Sequence, residues 1–153
     1  IRDRLARFTA MITSDENTYF LRAFDELGLP AKHRDAPQLT PQTKAFQDLM
    51  TEAAHSQIYP LCLSVLTVAE WLYLSWADRP DAALPPRFIH AEWITLHNNP
   101  AFADFIGWLR SELDRTGAAL DAAGQAQCAD MFGRAVKLER DFFDHVYTPL
   151  QYS

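Results

Sequence analysis

Apolar residues recur every three or four positions along most of the chain, which is the spacing of helices that bury one face. Up to Leu27 this pattern predicts one or two helices. Their predicted inner face consists of Leu5, Phe8, Ile12, Phe20, Phe24 and Leu27. Gly28 and Pro30 end the pattern as a helix C-terminus does, and residues 30–39 are predicted to form a polar connection.

Proline marks most of the later helix starts. Thr40 predicts an N-cap with Pro41 as the first helical residue, and Pro60 begins an almost wholly apolar helix that ends near residues 78–80. Pro85-Pro86 opens a short helix that closes at Asn98-Asn99. The apolar residues of the first of these helices are Ala45, Phe46, Leu49, Met50 and Ala53, and those of the third are Phe88, Ile89, Trp93 and Leu96.

Two further helices complete the pattern. Pro100 begins one that ends before Gly117, and the last runs from about Asp121 to Tyr147 and stops before Pro149. The inner face of the Pro100 helix is predicted to hold Phe102, Phe105, Ile106, Leu109 and Leu113. The sequence shows no convincing strand or hairpin turn. The predicted fold class is therefore all-α, a bundle of about six helices with short connections.

Composition favours one globular domain over residues 1–153, since 48% of the residues are apolar and 12% are aromatic. The net charge of −6 and the absence of a Lys and Arg run disfavour nucleic-acid binding through phosphate neutralisation. Cys62 and Cys128 form neither a disulfide framework nor a CxxC metal site. They are predicted to be core residues of a cytoplasmic protein.

The stretch from Ile58 to Ala77 has nearly the length of a membrane span. Glu70 near its centre would cost about 2.5–3.5 kcal/mol in a bilayer, Pro60 interrupts it, and no basic cluster flanks it. It is therefore predicted to be a buried bundle helix. Ile1 opens an ordinary amphipathic pattern rather than a signal peptide, and the lack of an initiating Met suggests that the N-terminus is incomplete.

Glu139 is the strongest candidate for a functional residue. It completes an otherwise apolar helix face formed by Cys128, Phe132, Ala135, Phe142 and Val146. A charge on such a face is costly unless it is paired or protonated, so the residue has either a partner or a task. Glu70 is a second carboxylate on an apolar face, for which a structural hydrogen bond and a role as a pocket acid or base both remain open.

Other kinds of chemistry find less support. Glu52 and His55 form a single ExxH, whereas a di-iron bundle needs two such motifs and two further acidic residues. No GxSxG motif occurs, and neither cysteine has an adjacent His or Lys that would lower its pKa. No metal and no cofactor are therefore expected.

Three segments together resemble the TenA family, also called thiaminase II, which has a heme-oxygenase-like helical fold. They are Ala69-Glu70-Trp71-Leu72-Tyr73, the stretch from Trp93 to Phe102 with its Asn98-Asn99-Pro100, and Glu139-Arg140-Asp141-Phe142-Phe143. The resemblance implies an enzyme of thiamin salvage that hydrolyses aminopyrimidines and releases ammonia. It also implies a homo-oligomer, either dimer or tetramer, that binds a small aminopyrimidine or thiamin-related ligand and neither nucleic acid nor membrane.

The resemblance assigns roles by position. Glu139 matches the family's catalytic glutamate, and the aromatic or polar positions that line the pyrimidine pocket are Phe46, Tyr73, His97 and Phe142. Ala69 stands where the family has its nucleophilic cysteine, Phe46 replaces a tyrosine, and His97 stands at another tyrosine position. The family also uses an aspartate, followed three residues later by an aromatic, from helices that this chain is expected to lack.

These observations lead to one main hypothesis and two alternatives. The main one is a TenA-like aminohydrolase without covalent catalysis, in which Glu139 protonates the leaving amine and Glu70 activates water from beside the Ala69 position. The first alternative is an inactive homologue that binds a pyrimidine-like ligand. The second is a metal-dependent oxidase that uses Glu52 and His55.

Overall fold

The computed structural model describes residues 1–79 and 82–147, and every regular element in this part of the chain is helical. The elements in chain order are α1 (Arg2–Met11), a π-helical segment (Ile12–Glu16), α2 (Asn17–Glu26), α3 (Ala31–Asp35), α4 (Pro41–Ser56), α5 (Tyr59–Ala77), α6 (Phe88–His97), α7 (Pro100–Gly117) and α8 (Ala122–Tyr147). The predicted all-α class is confirmed.

Most predicted helix boundaries are also confirmed. The hydroxyl of Thr40 accepts a hydrogen bond from the backbone N–H of Thr43 at 3.1 Å, so it is the N-cap of α4. Gly28 has φ of 63° directly after α2, a left-handed conformation that glycine adopts without steric cost. The helix α5 begins at Tyr59, one residue before Pro60. The predicted stops at Pro80 and Pro149 lie outside the described residues.

Two boundary predictions were wrong. The connection at residues 30–39 contains the short helix α3, which follows the extended Pro30. The side chain of Arg34 holds it against the end of α2 by donating to the backbone carbonyl of Leu29 at 2.7 Å and to Asp25 at 2.7 Å. Gly117 is the last residue of α7 rather than the residue after it.

The chain forms two compact units, each built from two segments. The first unit comprises residues 1–38 and 73–106, and the second comprises residues 39–72 and residues from 107 onward. One boundary falls between α3 and α4, and the other two fall within α5 and within α7. The expectation of one domain over residues 1–153 stays a prediction.

The core of the second unit joins α4, α5 and α8. Its buried side chains are Leu49, Ala53, Leu61, Val65, Val68, Cys128, Met131 and Ala135. Cys62 packs against this cluster, and its thiol donates to the backbone carbonyl of Ala53 at 3.2 Å. Both cysteines therefore contribute to the core, as predicted, and burial raises the pKa of the Cys62 thiol.

In the described residues, α5 is the one helix whose length and composition would let it cross a membrane. That test alone is weak, because the core helix of a globular protein passes it as well. In this structure Leu61, Val65 and Val68 of α5 pack into the core of the second unit. These contacts fit the predicted role of a bundle helix.

Some predicted inner positions are exposed instead. In the first unit, α2 buries Tyr19 and Ala23, whereas Phe20 is 40% and Leu27 is 56% exposed. The hydroxyl of Tyr19 donates to the backbone carbonyl of Ile89 at 2.8 Å. This hydrogen bond turns the face of α2 that carries Tyr19 and Ala23 inward, so Phe20 and Leu27 are left outside. Ile12 and Val146, which were also predicted to lie on apolar faces, are likewise exposed.

Candidate functional site

Glu139 lies on α8 with only 4% of its surface exposed, four residues after the fully buried Ala135. Removal from water raises the pKa of this carboxyl group to about 7. Within residues 1–79 and 82–147, its carboxylate makes no hydrogen bond and no ion pair. Glu139 is therefore a buried acid that changes its protonation state near neutral pH.

The helix α8 directs its nearby cations away from Glu139. Lys137 and Arg140 both pair with Asp141, and the Arg140 contact is 3.3 Å long. Lys137 and Arg140 are largely exposed, with 66% and 67% of their side chains accessible. Among residues 1–79 and 82–147, burial is the one influence that shifts the pKa of Glu139, and it raises that pKa.

Three other predicted residues belong to the same unit. Glu70 is half-buried on α5. Phe46 on α4 is partly buried and packs against the core of the second unit. Phe142 on α8 is half-buried, and its ring meets that of Phe143 edge to face at 5.1 Å.

Tyr73 and His97, two of the predicted pocket residues, lie side by side in the first unit. Their rings lie 5.3 Å apart at nearly a right angle. Trp93 stacks on His97 at 4.4 Å and meets Tyr73 edge to face at 5.7 Å. Phe102 closes the other side of His97 at 5.3 Å. The result is an aromatic cluster around one buried imidazole.

The imidazole of His97 has a defined orientation. Its Nδ1 lies 2.8 Å from the backbone carbonyl of Trp93, which can only accept, so Nδ1 carries a proton. Its Nε2 lies 3.8 Å from Oε1 of Glu16. Burial lowers the pKa of His97 and raises the pKa of Glu16. Desolvation therefore favours the neutral forms of both groups.

Glu16 was missed at the level of sequence. Tyr19 follows it three residues later. The resemblance implied an aspartate and an aromatic at this spacing in an earlier helix, and here glutamate takes the place of aspartate. Both residues belong to the first unit, where Glu16 faces His97 and Tyr19 is buried. The spacing itself was the signal that could have identified this pair.

The Glu52 and His55 motif has a different use in this structure. Arg134 donates to both carboxylate oxygens of Glu52, at 2.7 and 2.5 Å, and so joins α4 to α8. Across residues 1–79 and 82–147, no three His, Cys, Asp or Glu side chains are grouped so that they could hold a metal ion. The second alternative, a metal-dependent oxidase, therefore gains no support from this geometry.

A comparison with known families agrees with the helical fold. Residues 2–148 match the sequence profile of the TENA/THI-4/PQQC family. The chain belongs to this family. The heme-oxygenase-like fold predicted from the sequence is therefore confirmed at the level of the TENA/THI-4/PQQC family.

One curated relative of the TENA/THI-4/PQQC family is similar over much of the chain. It is an aminopyrimidine aminohydrolase from Halalkalibacterium halodurans, 24% identical over 125 residues. The match covers 79% of this chain and 55% of the relative, so the chain spans about half of that protein's length.

The predicted site residues stay predictions after these comparisons. Glu139, Glu70, Phe46 and Phe142 lie in the second unit, whereas Tyr73 and His97 lie in the first. Ala69 is half-buried on α5 and offers no nucleophile at the position of the family's cysteine.

Proposed function

We propose that this protein is an aminopyrimidine aminohydrolase that replaces the amine of an aminomethyl-pyrimidine with a hydroxyl group. One observation carries the proposal: Glu139 is a buried carboxyl group with no described partner and a pKa of about 7. Such a group can donate a proton at neutral pH, which an ordinary exposed glutamate cannot do efficiently. Family membership and the name of the curated relative support the substrate class.

The proposed reaction needs one proton donor and one proton acceptor. Protonated Glu139 gives its proton to the leaving amine as the carbon–nitrogen bond breaks. A water molecule forms the new carbon–oxygen bond and gives one proton to the carboxylate of Glu70. The products are ammonia and the hydroxymethyl-pyrimidine, and proton exchange with solvent returns both carboxyl groups to their starting states.

The direct attack of water follows from Ala69. A methyl side chain cannot form the covalent intermediate that a cysteine would provide, so the proposal uses no enzyme-bound intermediate. Phe46 and Phe142 are both partly buried aromatic residues of the same unit as the two carboxylates. We propose that they pack against the flat faces of the pyrimidine ring.

Ammonia release from an aminomethyl-pyrimidine by the purified protein tests this function. Glu139→Gln keeps the size of the side chain and removes its ability to donate a proton. Loss of general acid catalysis should lower the rate by at least about 100-fold. Glu26→Gln is the matched control, because Glu26 is an exposed glutamate at the end of α2. A wild-type protein that releases no ammonia, or a Glu139→Gln variant with the wild-type rate, would contradict the proposal.

Ala69 also favours a second candidate function, which is binding of a pyrimidine-like ligand without turnover. Under this alternative the aminopyrimidine raises the melting temperature of the protein while its concentration stays constant. Under the main proposal the same ligand is consumed. Thermal-shift titration combined with chromatography of the ligand separates the two functions.

Our main proposal also includes a cytoplasmic role in thiamin salvage and a homo-oligomeric state. The family resemblance supports both.

A further inference from the structure

A cavity lies within the first unit, and none of its lining residues is named in the proposed reaction. Its volume is about 670 Å³, which is within the range of small-molecule sites. Phe8, Phe102 and Phe105 contribute to its lining, and the rings of Phe8 and Phe105 stack at 4.3 Å. Phe102 and Phe105 are buried and Phe8 is half-buried, so the ring of Phe8 supplies most of the aromatic surface that the cavity offers to a compact apolar group.

The charged residues of this cavity are mostly paired with one another. Arg4 donates to Asp104 at 2.9 Å, and Arg7 donates to Asp3 at 3.0 Å. Asp15 is different, because in the described residues its carboxylate has no ion pair and accepts one long hydrogen bond of 3.4 Å, from the Ser14 hydroxyl. Three carboxylates and two guanidinium groups thus leave one negative charge at the cavity.

The position of Asp15 comes from an unusual piece of backbone. It lies in the π-helical segment Ile12–Glu16. The π-helix is rare in proteins, and many of the known examples are at functional sites. In this segment Asp15 lines the cavity, whereas the next residue, Glu16, lies 3.8 Å from His97. Two consecutive carboxylates therefore lie in different environments: Asp15 lines the cavity and Glu16 lies beside His97.

We propose that this cavity binds an organic monocation with a compact apolar body. The cationic nitrogen pairs with the carboxylate of Asp15, and the apolar body packs on Phe8 and its stacked partner Phe105. Aromatic faces attract cations as well as apolar groups, so both parts of such a ligand are stabilised. An anion of the same shape would have to displace Asp3 or Asp104 from its arginine.

Calorimetric titration of the intact protein with benzyltrimethylammonium tests the proposal, with phenylacetate as the aromatic anion. We expect saturable binding of the cation, at least about fivefold tighter than that of phenylacetate. Asp15→Asn and Phe8→Ala should each weaken the cation about fivefold. Asp114→Asn removes the same charge from an exposed position outside the cavity and should leave the affinity unchanged.

Several results would overturn the assignment. They are the absence of saturable cation binding, equal or tighter binding of phenylacetate, and a wild-type affinity in Asp15→Asn. Circular dichroism of each variant establishes that it is folded, and Asp15 is exposed, so its substitution leaves the core intact. Glu139→Gln should bind the cation with wild-type affinity, which separates this site from the proposed reaction.

Discussion

Glu16 and His97 face each other at 3.8 Å, yet burial shifts the pKa of each group away from the charges that an ion pair would require. The proton on Nδ1 of His97 is fixed by the carbonyl of Trp93, so Nε2 of the neutral ring is an acceptor. The separation from Glu16 is longer than a hydrogen bond. The two side chains are therefore close neighbours in the neutral forms that burial favours, and they are not an ion pair.

We predict that His97 titrates below its ordinary value of 6.5, because only 4% of its surface is exposed and desolvation disfavours the imidazolium. Ring-nitrogen NMR across a pH series measures this directly. His97→Gln assigns the signal, and exposed His90 provides the comparison residue through His90→Gln. A titration of the His97 ring at or above 6.5 would refute the prediction.

The sign of the associated stability change follows from the lowered pKa of His97. The unfolded chain takes up a proton on this histidine at a higher pH than the folded protein does. The stability contributed by neutral His97 is therefore present above pH 6.5 and falls as the pH decreases through the folded pKa. His97→Gln should remove this part of the acid sensitivity.

Glu139 should have the opposite effect on stability. Its raised pKa means that the folded protein holds the proton to about pH 7, so stability is lost as the pH rises from about 4.5 through about 7. The full cost of ionisation is ~3 kcal/mol, because burial raises the pKa from 4.5 to about 7 and a tenfold change in proton affinity corresponds to about 1.4 kcal/mol. Urea unfolding of wild type and Glu139→Gln at several pH values measures it.

The informative quantity is the difference in unfolding free energy between the two proteins. This difference should shift in favour of Glu139→Gln by up to ~3 kcal/mol between pH 4.5 and pH 8.5, since glutamine does not ionise. Glu26→Gln removes an exposed carboxylate and should show no comparable shift with pH. If the Glu139→Gln difference does not change with pH, Glu139 is not a buried titrating group.

The sequence predicted the helices better than it predicted which residues come together. Helix periodicity and the cap at Thr40 are local, and both survive in the structure. Which face of α2 turns inward depends on the hydrogen bond from Tyr19 to the carbonyl of Ile89, a residue 70 positions further along the chain. Local periodicity therefore could not predict the buried face. Glu139 was identified because a carboxylate on an apolar face is visible in sequence, whereas the proximity of Glu16 to His97 depends on tertiary structure.

The proposed reaction should depend on pH through Glu139. Since the protonated form is the donor, kcat should fall as the pH rises through about 7, with a limiting slope of about tenfold per pH unit. Steady-state ammonia release between pH 5.5 and 9 measures this profile. A rate that keeps rising above pH 8 would assign the donor role to a group other than Glu139.

The core of the second unit gives a prediction that is independent of function. Leu49 is 1% exposed and belongs to the cluster that joins α4, α5 and α8, so Leu49→Ala should destabilise the protein by about 2–5 kcal/mol. Met50 is the next residue on α4 and is 51% exposed, so Met50→Ala should change the unfolding free energy by less than about 0.5 kcal/mol. Chemical denaturation of both variants compares them on one helix. Equal effects would mean that α4 does not present the Leu49 face to the core.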